Sequence, residues 1–320
     1  MDIEQVTLTQ MRYAVAIGET GSFRLAAERC HISQSGLSMQ IQRLEELLGA
    51  VLFDRSRKPV RVTQAGEAAL SQMRSVLRET ERLGQVVAED VEPSGRFRLG
   101  VIPTLAPTVL PLFLRQFVQR NPRVELIVEE LKTEEIVARL QSDTLDAGLA
   151  ATPLSVPGLR EEALGHEALV AYLPPGDPLL KKRSVSQKDL AERHLWVLPE
   201  GHCFRSQVLT FCRSDHAPRP GPVQFESGSF ETLIHLVDDG FGATVLPALT
   251  ADAIPARRRR AQARPLSGPP PVREIGLVTA RTDLRRRVSE AIAGCVRERL
   301  QTALGPPPRR AQVLDPLPQP

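Results

Sequence analysis

From Gln64 to Val91 the chain runs without a proline, and Ala69, Met73, Val76, Thr80, Leu83 and Val87 recur at alternating steps of four and three. That spacing is the a/d seam of a coiled coil, and a helix of roughly 27 residues would be about 40 Å long. A rod of that length divides the chain into a part before it and a part after it. With 320 residues, 42% of them hydrophobic, there is enough material for two domains. The seam predicts that two copies pair along this helix. The competing arrangement lays the apolar stripe on the helix's own domain.

The part before the rod is helical. Thr9 is placed to cap a first helix with Met11, Ala14, Val15 and Ile17 on one face; Ser22 is placed to cap a short second one through Ala26 and Ala27. Ser33 is placed to cap a third, whose stripe of Leu37, Ile41, Leu44 and Leu48 leaves Gln34, Ser35, Ser38 and Gln42 facing elsewhere. The stretch VLFDRSRKPVRVT then alternates on both sides of a turn at Ser56 to Pro59, which makes a basic-tipped hairpin.

After the breakers Glu92-Pro93-Ser94-Gly95 the pattern changes to alternating strands and helices. RFRLGVI, VELIVEEL and LDAGLAA read as strands separated by helical LAPTVLPLFLRQFVQR and EEIVARLQS, a series that builds a parallel sheet. A second block starts near Ala168 and takes in LVAYLP, HLWVLP, VLTFC, VQFE, ETLIHLVDDG and ATVLP; REIGLVTARTD then returns as a strand, and LRRRVSEAIAGCVRERLQTAL closes as a helix. The tail 305–320, GPPPRRAQVLDPLPQP, has the composition of a disordered segment.

A net charge of +3 allows a polyanionic partner without demanding one. No apolar run is long enough to span a bilayer, and the first residues lack the pattern of a signal peptide, so a cytoplasmic location without membrane contact is expected. The four cysteines, Cys30, Cys203, Cys212 and Cys295, are too few for a disulfide framework and form no C-x-x-C pair, so neither a metal site nor a cofactor is expected.

Residues 9–66 resemble the winged helix-turn-helix of LysR-type transcription regulators in the Ala26-Ala27 pair, the Ser33-Gln34-Ser35 helix start, the Leu44-Glu45 step and the L-F-x-R...T-x-A-G ending. The resemblance implies an α/β protein. It has a winged helix-turn-helix over 1–66, a linker and dimerisation helix over 67–92, and a regulatory region over 93–304. That region comprises two Rossmann-like subdomains of periplasmic-binding-protein type, one of about 96–167 plus 274–304 and one of about 168–273, with crossovers near Ala168 and Arg273. Such a protein is a regulator rather than an enzyme. Its partner is double-stranded DNA, met by Ser33, Gln34, Ser35, Ser38 and Gln42 in the major groove and by Arg55, Arg57, Lys58 and Arg61 on the wing. Homodimers through the linker helix, homotetramers and contact with RNA polymerase follow from the same likeness.

Within that family, Gly201, His202, Cys203, Arg205 and Cys212 resemble the motif of the peroxide-sensing members. The implied effector is hydrogen peroxide, with Cys203 as the attacking thiol, Cys212 as the resolving thiol, and His202, Arg205, Thr104 and Thr133 assisting. Those members carry Asp after the motif arginine, whereas this chain has Ser206. The alternative is a small anionic metabolite held between the subdomains; a two-cysteine peroxidase would leave the first 66 residues without a purpose. The spacing adds its own argument. Nine residues of helix separate two Cα atoms by about 13.5 Å and turn through roughly 900°, which sets the thiols on opposite faces. A disulfide needs Cα atoms roughly 4.4 to 6.8 Å apart, so a helical segment would have to unwind to form one.

Overall fold

The computed structural model describes residues 3–87, 92–212, 228–281, 283 and 285–316. Two compact units are present, Met1–Val91 and Glu92–Pro320.

In the first unit, α1 (Leu8–Thr20), α2 (Phe23–Arg29) and α3 (Gln34–Leu48) precede a two-stranded wing, β1 (Phe53–Asp54) and β2 (Arg61–Val62), and the long helix α4 (Gln64–Val87). Ser22 and Ser33 cap α2 and α3 as expected, but the cap of α1 is Thr7 rather than Thr9. Thr7 wins because Gln10 reaches back to its backbone N–H and completes a capping box. Ala26 and Ala27 are buried, which lets α3 cross α2 closely over a core of Ala14, Ile17, Leu37, Ile41, Leu44 and Phe53. The T-x-A-G ending is a lock: the Thr63 hydroxyl donates to the Val51 carbonyl and accepts from the Gly66 N–H, and a Cβ on Gly66 would stand 2.3 Å from the Leu52 carbonyl oxygen.

The first turns of α4 modify the seam reading. Leu70 and Met73 are buried in the unit's own core against α1, so the competing arrangement holds there. Val76 and Thr80 are half-buried, and the side chains of Leu83 and Val87 lie outside the described residues.

The second unit opens with β3 (Gly95–Val101), α5 (Ala106–Arg120), β4 (Val124–Glu130), α6 (Thr133–Gln141) and β5 (Ala147–Thr152), and β3 pairs in parallel with both β4 and β5. The long strand β6 (Leu159–Tyr172) then leads through α7 (Gln187–Ala191) and β7 (Leu195–Trp196) to α8 (Cys203–Cys212). Beyond it come α9 (Phe230–Asp238), β8 (Ala243–Pro247), α10 (Ala248–Asp252), α11 (Ala256–Gln262) and β9 (Ala263–Pro265). The returning strand β10 (Pro271–Ala280), α12 (Arg286–Leu304) and β11 (Gln312–Val313) complete the unit.

Strand β6 changes partners at Ala168: it pairs antiparallel with β10 up to that residue and with β8 and β9 from Leu169 onward. This junction separates two apolar cores, one around Phe97, Phe113, Ile136 and Ile292, the other around Tyr172, Trp196, Phe211 and Val245. VLTFC is helical, not a strand, because it continues the turn begun at Cys203; the VQFE segment lies outside the described residues. The tail is corrected as well. Gln312 and Val313 pair in parallel with Pro271 and Val272, and Leu314 is buried at 2% exposure. β10 projects beyond the end of β5, whose last paired residue is Thr152 opposite Glu274, and the tail covers that open edge.

Candidate functional site

On the first unit the predicted DNA-facing residues lie on α3 and on the wing. Gln34, Ser35 and Gln42 of α3 are exposed and Ser38 is half-buried. The Ser33 hydroxyl accepts from the Gly36 N–H at 3.1 Å and lies 3.2 Å from the Ser35 hydroxyl. Met39, which periodicity did not mark, is 64% exposed on the same side, four residues from Ser35 and three from Gln42. Arg57, Lys58 and Arg61 are exposed on the wing, Arg57 with Asp54 at 3.7 Å. Arg55 is exposed as well and also braces the wing. Its guanidinium binds Glu45 at 2.8 Å and lies 4.9 Å from the centre of the Phe23 ring. The other oxygen of Glu45 accepts the Leu52 and Phe53 backbone N–H groups at 2.7 and 3.2 Å, so one carboxylate fixes the wing to the recognition helix.

On the second unit, Cys203 is the first residue of α8 and Cys212 the last; all four cysteines are free. The helix carries the two sulfurs into different places. Cys203 packs with the first apolar core and Cys212 with the second. Along an intact helix they stand about 13.5 Å apart, beyond the reach of a disulfide.

Thr133, the first residue of α6, is buried beside Cys203, where its hydroxyl helps hold the thiol's pKa down; it has no closer hydrogen-bond partner among the described residues. Thr104 lies in the turn between β3 and α5. Neither threonine caps its helix: Leu105 and Lys132 stand at those cap positions without side-chain bonds.

Thr104 reaches the site through Arg273 of β10, which the residue pattern did not single out as a site residue. Its guanidinium donates to the Thr104 hydroxyl at 3.1 Å, to the Thr104 carbonyl at 3.2 Å and to Glu167 of β6 at 2.7 Å, and it lies 5.6 Å from the centre of the Phe204 ring. Arg273 and Glu167 are both fully buried, and the second Glu167 oxygen accepts the Leu249 N–H at 2.7 Å. These residues stand 106 positions apart, and only the antiparallel register of β6 and β10 brings them together.

Burial pushes the Cys203 thiol above its ordinary range; the Thr133 hydroxyl, the Arg273 charge and the Phe204 N–H at the helix start oppose that rise. Burial, then the charge of Lys132, lowers the His202 pKa, and Arg205 donates to the Leu198 carbonyl at 3.0 Å. Gly201 has φ +84°, a backbone conformation that side chains rarely adopt, which gives the motif glycine its physical reason. Among the described residues no three His, Cys, Asp or Glu side chains are grouped to hold a metal ion, and no helix is long and apolar enough to cross a membrane.

Comparison with known proteins agrees with this division. Residues 8–67 match the family model described as bacterial regulatory helix-turn-helix protein, lysR family, and residues 91–301 match the LysR substrate binding domain. The chain is 35% identical over 298 residues to the DNA-binding transcriptional dual regulator OxyR of Escherichia coli K12, covering 92% of this chain and 96% of that protein. It is 34% identical over 299 residues to the hydrogen peroxide-inducible genes activator of Pectobacterium carotovorum, covering 92% and 97%. Among solved structures, a cysteine-to-aspartate variant of full-length OxyR from Pseudomonas aeruginosa superposes with a TM-score of 0.77 at 32% identity, over 92% of this chain and 95% of that one. A cysteine-to-serine variant of OxyR from Corynebacterium glutamicum with hydrogen peroxide bound gives 0.60 at 29%, over 93% and 94%. The chain belongs to the LysR family of bacterial helix-turn-helix regulators.

Proposed function

We propose that this protein is a DNA-binding transcription regulator that senses hydrogen peroxide by forming a reversible Cys203–Cys212 disulfide. The observation that carries the reading is the placement of two free thiols at opposite ends of one helix, the first beside a buried, otherwise unpartnered Thr133 hydroxyl and the Arg273 guanidinium. Peroxide in that space meets a hydroxyl from Thr133 and the hydrogen of Thr104, whose oxygen is already taken by Arg273. The Cys203 sulfur attacks one peroxide oxygen, the O–O bond breaks, and the departing hydroxide takes the thiol proton and leaves as water; Cys203 becomes a sulfenic acid. The Cys212 sulfur then attacks Cys203, the S–S bond forms, the S–OH bond breaks, and a second water leaves with the Cys212 proton. A dithiol reductant returns both thiols.

The second step demands that α8 unwind, and the unwinding is what converts oxidation into a change of shape. Pairing of two copies along the seam of α4 would present two recognition helices to a two-fold operator, and pairs of dimers, activation and contact with RNA polymerase in the cytoplasm belong to the same reading.

The test is peptide mapping after exposure of the reduced protein to equimolar peroxide, in parallel with Cys203→Ser. A Cys203–Cys212 crosslink in the unsubstituted protein alone supports the reading; two free thiols remove it. A Cys203→Ser protein that still answers a small anionic inducer would assign the cysteines to packing, and repeated turnover with a dithiol reductant would make the chain a peroxidase.

A further inference from the structure

The C-terminal residues lie beyond 301, where the match to the LysR regulatory domain ends, yet they are tied to the helix that must unwind. Two backbone bonds anchor them at the start of β10: Gln312 N–H to the carbonyl of Pro270, the residue before the strand, and Leu314 N–H to the Val272 carbonyl, each 2.9 Å. Val272 is the neighbour of Arg273. From there the Leu314 side chain inserts into the same apolar core as Phe204, Phe211 and Cys212. The Leu314 carbonyl accepts from Gln207 Nε2 at 2.8 Å, inside the body of α8, and both partners are buried. Gln207 Oε1 has no partner among the described residues, so the tail carbonyl is what satisfies this side chain. Gln207 lies between the two cysteines, so unwinding α8 to join them would break that bond.

We propose that residues 312–314 form a strap that restrains α8 and so slows closure of the Cys203–Cys212 disulfide after Cys203 has been oxidised, setting how much oxidant the switch tolerates before it changes shape. The proposal rests on the peroxide-sensing reading above. The strap acts on the second step only: it touches α8 beyond Cys203 and leaves Thr133, Arg273 and the Cys203 sulfur as they are.

The experiment uses the full chain and places an aspartate on either side of the strap. Leu314→Asp puts a charge into the core and releases the strap; Val313→Asp, at a position 39% exposed, is the control for an added charge on the same strand. Leu314→Ala is the milder release. Reduced proteins are mixed with peroxide, sulfenic acid is trapped with a 1,3-dione, and disulfide formation is followed by rapid thiol alkylation. Leu314→Asp should close the disulfide about tenfold faster and Leu314→Ala less, with the rate of sulfenic acid formation changed by less than about twofold. Val313→Asp should match the unsubstituted protein. Hydrogen exchange across 203–212 in the reduced protein, which needs no peroxide, should rise in Leu314→Asp alone among the two aspartate variants. Equal closure rates in Leu314→Asp and the unsubstituted protein, or unchanged exchange in α8, would overturn the strap. Absence of trapped sulfenic acid in every protein would overturn the peroxide reading and the proposal with it, and the exchange result would show which of the two had failed first.

Discussion

Cys203 and Cys212 belong to one short helix and meet different electrostatics. Cys212 is surrounded by carbon, and burial alone lifts its thiol to about 11. Cys203 is raised by burial too, but Thr133, Arg273 and the Phe204 N–H pull against the rise. Of this pair, and among the described residues, Cys203 is the one with groups that favour a negative sulfur, a division that suits attack at one and resolution at the other. The Cys212 value carries a sign. In the unfolded chain this thiol loses its proton near 9.0, and in the folded chain near 11. Its contribution to stability is whole below the first value and falls away as pH rises through the second. Denaturant unfolding of the reduced protein across that window should show stability falling by about one proton's slope less in Cys212→Ala than in the unsubstituted chain. Equal slopes would mean that the thiol is wetter than the packing indicates.

At the scale of elements, the wing hangs on one side chain. Glu45→Ala removes the acceptor of two backbone N–H groups and the partner of Arg55. It should cost the first unit about 2 kcal/mol and weaken binding to operator DNA, while Glu45→Gln, which keeps one accepting oxygen, should lose less. Thermal unfolding and a duplex titration check it; a wing variant that binds and melts normally would remove the brace. How much of this was legible follows from reach along the chain. Ser22 and Ser33 were readable as caps because a cap acts within three residues. Thr133 and Thr104 were named by resemblance, but why they meet the thiol was not readable, since the link is Arg273, 169 positions from Thr104. VLTFC looked like a strand because its apolar residues crowd together, and it became a helix because Phe204, Val208 and Phe211 share one buried face. The proline-rich tail hid its ordered part because the strand there, Gln312–Val313, is two residues long, too short for any periodicity.

At the scale of the whole molecule, the two units carry separable tasks, and α4 is where they should part. Leu83→Asp should weaken self-association and DNA affinity by at least about tenfold and leave oxidation of Cys203 unchanged. Sedimentation and DNA titration read the first pair, peptide mapping the last; unchanged sedimentation would place the pairing surface elsewhere. The two cores of the second unit have a different consequence. Each sulfur is a stopper in its own compartment, one on either side of the place where β6 changes partners. A crosslink must pull at least one stopper out, and the hole left behind is a standing debt in the oxidised form. Cutting the crosslink gives the chain a downhill path home, because refilling the hole rewinds the helix without any guide. The reset therefore needs a two-electron reductant that also delivers two protons, and no folding aid.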